Sequence, residues 1–291
     1  VRRQPKVRVQ FPFSKGRTLM PSTTQITFAQ LSRLVGLPDA PTIVDVRIPD
    51  DVALDTRILP GADHRSHKNV SDWASDYAGQ RVVVVCQRGQ KLSEGVAAWL
   101  RHAGVAAENL EGGFEAWRDA GGLLVSTAKL PPRDAAGRTV WVTRARPKID
   151  RIACPWLIRR FIDPRAVFLF VAPSEVVAVA ERFQAVPFDI DGVFWSHRGE
   201  RCSFDTMLEE FGLASPALNR LAEIVRAADT ARLDLVPQAA GFLAASLGLS
   251  RMFKDDLAQL DAGMLLYDAF YRWCRDAIEE THNWPSVPSK S

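Results

Sequence analysis

At 291 residues the chain is longer than one average domain, and its 47% hydrophobic and 24% charged residues are the composition of an ordinary globular protein with about two domains. No run of 18 apolar residues suggests a transmembrane helix, and the four scattered cysteines, with no CxxC pair, argue against a disulfide framework and for a reducing cytosol. The net charge of +3 resides in residues 1–20, which hold six basic and no acidic side chains; the remaining 31 basic and 34 acidic residues give no reason to expect a nucleic-acid partner.

That leader lacks the apolar core of a secretory signal and is expected to be a disordered extension, with Met20 before Pro-Ser-Thr-Thr resembling a natural start. From 21 to 125 short apolar runs alternate with helix-like segments. Strands are predicted over 42–46, 82–85 and 106–110, and this order implies a parallel sheet covered by helices. Residues 126–137, rich in turn chemistry (Pro131, Pro132, Gly137), form the expected linker. The second unit, 138–285, opens with a strand over 139–143, a helix over 152–162 and a strand over 167–171, then turns helical after Ser203. Leu257, Leu260, Met264, Tyr267, Tyr271, Cys274 and Ile278 step by three and four residues along one helix face, and Leu265, Leu266, Phe270 and Trp273 flank it, which predicts a helix buried on much of its circumference. The fold class expected is therefore α/β, a parallel-sheet domain followed by an α+β, mainly helical one.

The run Val82-Val83-Val84-Val85-Cys86-Gln87-Arg88-Gly89-Gln90-Lys91 sets a cysteine at the carboxyl end of a strand, where parallel sheets place their chemistry. Gly89 lets the loop curl so that successive backbone N–H groups face one centre at the start of the next helix, and Arg88 and Lys91 add positive charge that favours a thiolate. The competing reading, a buried structural cysteine, leaves the polar glycine loop unexplained. A cysteine phosphatase would need arginine six places after the cysteine to grip phosphate; Leu92 stands there.

Four segments in order, Ile43-Val44-Asp45-Val46-Arg47, Leu59-Pro60-Gly61-Ala62-Asp63-His64, the Cys86 loop and Leu110-Glu111-Gly112-Gly113-Phe114-Glu115-Ala116-Trp117, resemble the motifs of a rhodanese domain. The resemblance implies a thiosulfate sulfurtransferase-like enzyme. Cys86 would carry a persulfide, Gln87, Arg88, Gly89, Gln90 and Lys91 would cradle the sulfur and its donor, and no cofactor would be required. The partners implied are a small sulfur donor such as thiosulfate and a thiophilic acceptor. Lys91 replaces a frequent arginine and Leu92 the usual serine or threonine, with Ser93 one place later. Asp45 and Arg47 read as a structural ion pair, and His64 and His67 as turn residues.

From Trp141 onward, 141–162, Pro187-Phe188-Asp189-Ile190, 194–205, Ala227-Ala228-Asp229-Thr230 and 265–274 resemble the carboxyl-terminal domain of chromate-resistance proteins. Regulatory members of that family carry an amino-terminal DNA-binding module, and here the rhodanese-like segment takes its place. The residues themselves leave alternatives open. Arg144, Arg146, Lys148, Arg151, Arg159 and Arg160 suit a tetrahedral oxyanion such as chromate or sulfate, or equally a solvated basic face. Cys154 is a candidate reactive thiol in electropositive surroundings, or a residue at an interruption marked by Pro155. His197, Glu200, Cys202 and Asp205, with Asp229 from elsewhere, are candidate ligands of a divalent metal, although their spacing matches no common zinc pattern and fits a polar loop as well. Trp141, Trp156 and Trp195 read as core. The leading functional expectation is a sulfurtransferase coupled to a response to chromate or related oxyanions; the alternative is a non-catalytic oxyanion sensor or regulator acting through a protein partner.

Overall fold

The computed structural model describes residues 24–281. The basic leader and the last four residues of the expected second domain lie outside them.

The first unit is a five-stranded sheet of β1 (Gln25–Ile26), β2 (Thr42–Asp45), β3 (Asp63–His64), β4 (Arg81–Val85) and β5 (Ala106–Leu110), ordered β1-β5-β4-β2-β3 with every neighbour parallel. Its helices are α1 (Phe28–Ser32), α2 (Pro49–Leu54), α3 (Val70–Trp73), α4 (Lys91–His102) and α5 (Gly113–Asp119). β4 lies at the centre, which is why it can be valine at four consecutive positions. Both faces are covered, as parallel sheets require. Alternation divides them: Val82 and Val84 pack with Val44 of β2, Trp73 of α3 and Val96 and Leu100 of α4, while Val83 and Val85 face the opposite layer with Ile43, Phe114 and Trp117.

That opposite layer continues without a break into the second unit. Val125, Trp141, Trp156, Phe161, Phe204, Phe211 and Tyr271 belong to the same apolar cluster as Leu31, Val83 and Trp117. Gly61 N–H donates to Phe161 O at 2.6 Å and Ser126 N–H to Phe211 O at 2.9 Å. The predicted linker is pinned across this junction. Arg133 reaches Asp163 at 3.5 Å, Lys129 lies 5.1 Å from the centre of the Phe194 ring, and Leu130 packs on the shared core.

The second unit has a small parallel sheet, ordered β7-β6-β8, of β6 (Val140–Arg144), β7 (Val167–Val171) and β8 (Val186–Pro187), with α7 (Val176–Phe183) against it. α6 (Asp150–Leu157) starts two residues before the predicted helix and passes through Pro155. It ends in a wide turn, Ile158–Ile162, closed by Asp163 N–H on Ile158 O at 2.8 Å. α8 (Ser203–Phe211), α9 (Pro216–Asp229), α10 (Ala239–Met252) and α11 (Asp256–Asp276) complete it. On α11 the predicted stripe is buried from Leu260 to Cys274, but Leu257 and Ile278 at its ends are exposed, as is Leu265 on the flank. The helix packs on α6, α9 and α10 along one side, so its far side faces solvent. Among the described residues no helix is long and apolar enough to cross a membrane.

Candidate functional sites

Cys86 follows the last residue of β4 and lies beneath the first turn of α4, a helix of 12 residues whose amino-terminal dipole favours negative charge. The loop between them is held from outside. Phe114 N–H and Glu115 N–H, in the first turn of α5, donate to Cys86 O and Gln87 O at 2.9 and 3.0 Å, and Asn109 Nδ2 donates to Gly89 O at 3.2 Å. Because a trans peptide points its N–H opposite to its C=O, the amides of Gln87 and Arg88 are turned away from α5. Two glycines make this approach feasible. Gly89 has φ +64°, and a Cβ there would lie 2.4 Å from Leu110 O; Gly113 has φ +61°, and its Cβ would lie 2.2 Å from Cys86 O.

Cys86 is 5% exposed, and its sulfur lies 3.1 Å from Ser93 Oγ, whose hydroxyl also reaches Gln90 O at 3.1 Å. Ser93 thus supplies the hydroxyl beside the sulfur that Leu92 cannot. The thiol opens on a cleft of about 360 Å³ lined by Ile48, Leu54, Gln87, Arg88, Lys91 and Glu115. Glu115 was not expected from the sequence. Its carboxylate accepts from Gln87 Nε2 at 3.1 Å and meets Arg88 Nε at 3.4 Å, so one of the two loop cations is already partnered. Lys91 is exposed at the head of α4. Asp45 and Arg47 form a fully buried pair at 2.8 Å, with the guanidinium bound to Asp55 O and Arg57 O and stacked 3.9 Å from the Phe114 ring centre, which makes them a brace for the loops.

The second unit brings four side chains from four segments together. Asp150 begins α6, Asp189 follows β8 at φ +52°, His197 precedes α8 and Asp229 ends α9. His197 Nε2 lies 3.2 Å from Asp229 Oδ2 and 3.5 Å from both Asp150 Oδ2 and Asp189 Oδ1. The residue before Asp150, Ile149, has φ +32°, a strained conformation for a β-branched residue. Hydrogen bonds to Asp189 and Asp229 raise the His197 pKa to about 10. Burial, reinforced by the charges of Asp229 and Asp189, pushes Asp150 well above the ordinary carboxylate range. Burial acts on Asp189 in the same direction, but His197, Ser203 Oγ at 2.8 Å, Arg151 and Arg144 outweigh it and hold Asp189 below that range.

Two family models match this chain: "Rhodanese-like domain" over residues 27–120 and "ChrB, C-terminal domain" over residues 141–274. The chain joins a rhodanese-like domain to a ChrB C-terminal domain. Protein ChrB of Cupriavidus metallidurans is 36% identical over 151 residues, 52% of this chain and 45% of that protein, so the chain spans less than half the length of that relative. Among solved structures, a rhodanese-like domain protein from Staphylococcus aureus is 29% identical over 32% of this chain and 90% of its own, with a TM-score of 0.29. A rhodanese-related protein from Thermoplasma volcanium is 21% identical over 35% and 97%, with a TM-score of 0.31.

Within the ChrB C-terminal domain, the six basic residues grouped by sequence are dispersed. Arg144 and Arg151 meet Asp189 at 3.2 and 3.3 Å, Arg146 binds Phe253 O at 2.8 Å and faces Asp256, Arg159 meets Asp261 at 2.9 Å, and Arg160 meets Asp268 at 2.7 Å. Lys148 is exposed at the surface. They are therefore not one oxyanion cluster, because acidic side chains of α11 and of the segment after β8, distant in sequence, already neutralise the arginines. Cys154 is fully buried, and burial followed by the charge of Asp150 pushes its thiol pKa well up, so its surroundings are apolar and acidic rather than the electropositive ones read from the nearby arginines. The candidate metal set also divides. His197 and Asp229 are together, but Glu200 is exposed near Arg232, Asp205 is paired with Arg226 at 2.8 Å, and Cys202 is a buried helix cap whose pKa burial raises. Asp150 and Asp189, rather than those three, stand beside His197. The only sequence signals for them were an acid at a helix start and a Phe-Asp pair in a matching segment.

Proposed function

We propose that the rhodanese-like domain is a sulfurtransferase that carries a persulfide on Cys86. The observation that supports it most is the placement of a thiol at the head of α4, 3.1 Å from Ser93 Oγ, in a braced loop that opens on a cleft large enough for a small anion. The Cys86 thiolate attacks the outer, sulfane sulfur of thiosulfate. A new S–S bond forms, the old one breaks, and sulfite leaves with the electron pair. The amides of Gln87 and Arg88 and the Ser93 hydroxyl stabilise the charge on sulfur, and Lys91 draws the sulfonate. A thiophilic acceptor, cyanide in an assay, then takes the outer sulfur and releases the thiolate. No cofactor enters either step.

The ChrB C-terminal domain points to chromate or related oxyanion stress as the setting, in the reducing cytosol that the unpaired cysteines suit. The second reading is an oxyanion sensor without turnover; Glu115 holds Arg88 at 3.4 Å and weakens the pull of the cleft on a dianion in either case. Turnover distinguishes the two. Thiosulfate should raise the intact mass by one sulfur atom at Cys86, and cyanide should remove it with release of thiocyanate. A protein that gains no sulfur, or gains it and never passes it on, is not a sulfurtransferase.

A further inference from the structure

The Asp150, His197 and Asp229 cluster lies outside the sulfur chemistry, and its carboxylates crowd one imidazole nitrogen. One imidazole N–H can serve one acceptor, yet His197 Nε2 faces three carboxylates at 3.2, 3.5 and 3.5 Å. Asp150 is wholly buried. Its Oδ2 accepts from Ser203 N–H, while its Oδ1 is buried with no hydrogen-bond partner. A buried carboxylate oxygen left in that state is costly unless something binds it. The ligand atoms of Asp150, His197 and Asp229 lie within 4.8 Å of one another. Two ligands that each sit about 2.0–2.1 Å from a shared ion in tetrahedral geometry are roughly 3.3–3.4 Å apart, which is the spacing found around Nε2.

The geometry points to a first-row divalent cation held by Asp150, His197 and Asp229. Asp189 stands outside the ligand set because Arg144, Arg151 and Ser203 already occupy it, and it balances charge and orients the site. Two carboxylates and an imidazole suit Mn²⁺, Fe²⁺ or Zn²⁺ rather than a soft ion such as Cu⁺. The His197 side chain is 41% exposed, which gives the ion a route in, and three protein ligands leave coordination positions for water or an anion. This site is independent of persulfide formation on Cys86.

The full chain, stripped by a chelator and dialysed, would be exposed separately to Mn²⁺ and Zn²⁺, freed of excess and measured for bound metal and melting temperature. The expected result is a single ion per chain and a melting temperature that climbs with free ion concentration. His197→Ala and Asp229→Asn should each weaken binding by more than about tenfold, while the exposed Glu200→Ala binds as the parent does. Circular dichroism of the metal-free variants checks folding. Should His197→Ala fail to fold, the near-isosteric Asp229→Asn carries the test. Absence of binding by both ions, or binding undiminished in a folded variant, overturns the site.

Discussion

The two candidate sites are built in opposite ways. The Cys86 site is one short segment, residues 86–93, whose thiol, hydroxyl and cation are all within a turn of one another and which the flanking α5 only clamps. The Asp150 site takes one residue from each of four segments spread over about eighty positions, and no pair of its members is closer than eight residues in sequence. A local site tolerates change elsewhere in the fold as long as its clamp holds. A dispersed one exists only if α6, α8 and α9 all pack correctly.

The largest effect expected is complete loss of sulfur transfer in Cys86→Ser, with the fold retained, because serine fits the space but cannot carry sulfane sulfur. Residual thiocyanate production above background would remove Cys86 from the reaction. Next, Gly113→Ala tests whether the local site depends on its clamp. The new Cβ would meet Cys86 O and Gly89 N, at a φ of +61°. Sulfur transfer should fall by about 100-fold from misplacement of the loop, and stability by about 1–3 kcal/mol, measured by denaturant melts. Unchanged kinetics would mean that the loop holds its shape alone.

Asp268→Ala tests the reassignment of the arginines in the ChrB C-terminal domain. Asp268 accepts from Trp156 Nε1 at 2.8 Å and from Arg160 at 2.7 Å, so its loss strands two donors in or near the core. A cost of about 2–4 kcal/mol is expected, while in the parent chain chromate and sulfate at millimolar levels should leave the melting temperature unchanged. A rise in the parent chain with those anions, lost in Arg160→Ala, would reinstate Arg160 as an anion ligand. The smallest effect concerns Glu115→Gln, which frees Arg88 at the cleft mouth. The KM for thiosulfate should drop by a factor of about 2–5 with kcat nearly constant, and the gain should shrink as salt is raised. An unchanged KM would show that Lys91 and the loop amides alone set donor affinity.

Much of this was legible before the structure for a physical reason. Four consecutive valines announce a strand buried on both faces, Gly89 after Cys86 announces a tight polar turn, and the 3- and 4-residue steps from Leu260 to Cys274 announce a helix face. These are local properties, carried by backbone sterics and by the burial of neighbouring side chains. Sequence therefore determined the parallel sheet, the position of Cys86 at the end of a strand and the helical character of the second unit. Tertiary structure alone decided the charge pairing. A run of arginines reads as a free basic surface until Asp189, Asp256, Asp261 and Asp268, up to 110 positions away, are seen to meet it. It also decided that Glu115 would face the cysteine loop, that the 126–137 segment would be pinned over a core continuous between the two units, and that Asp150 rather than Cys202 would stand beside His197. Charge and hydrogen bonding act through space over a few ångströms, and chain separation says little about which groups folding will bring that close.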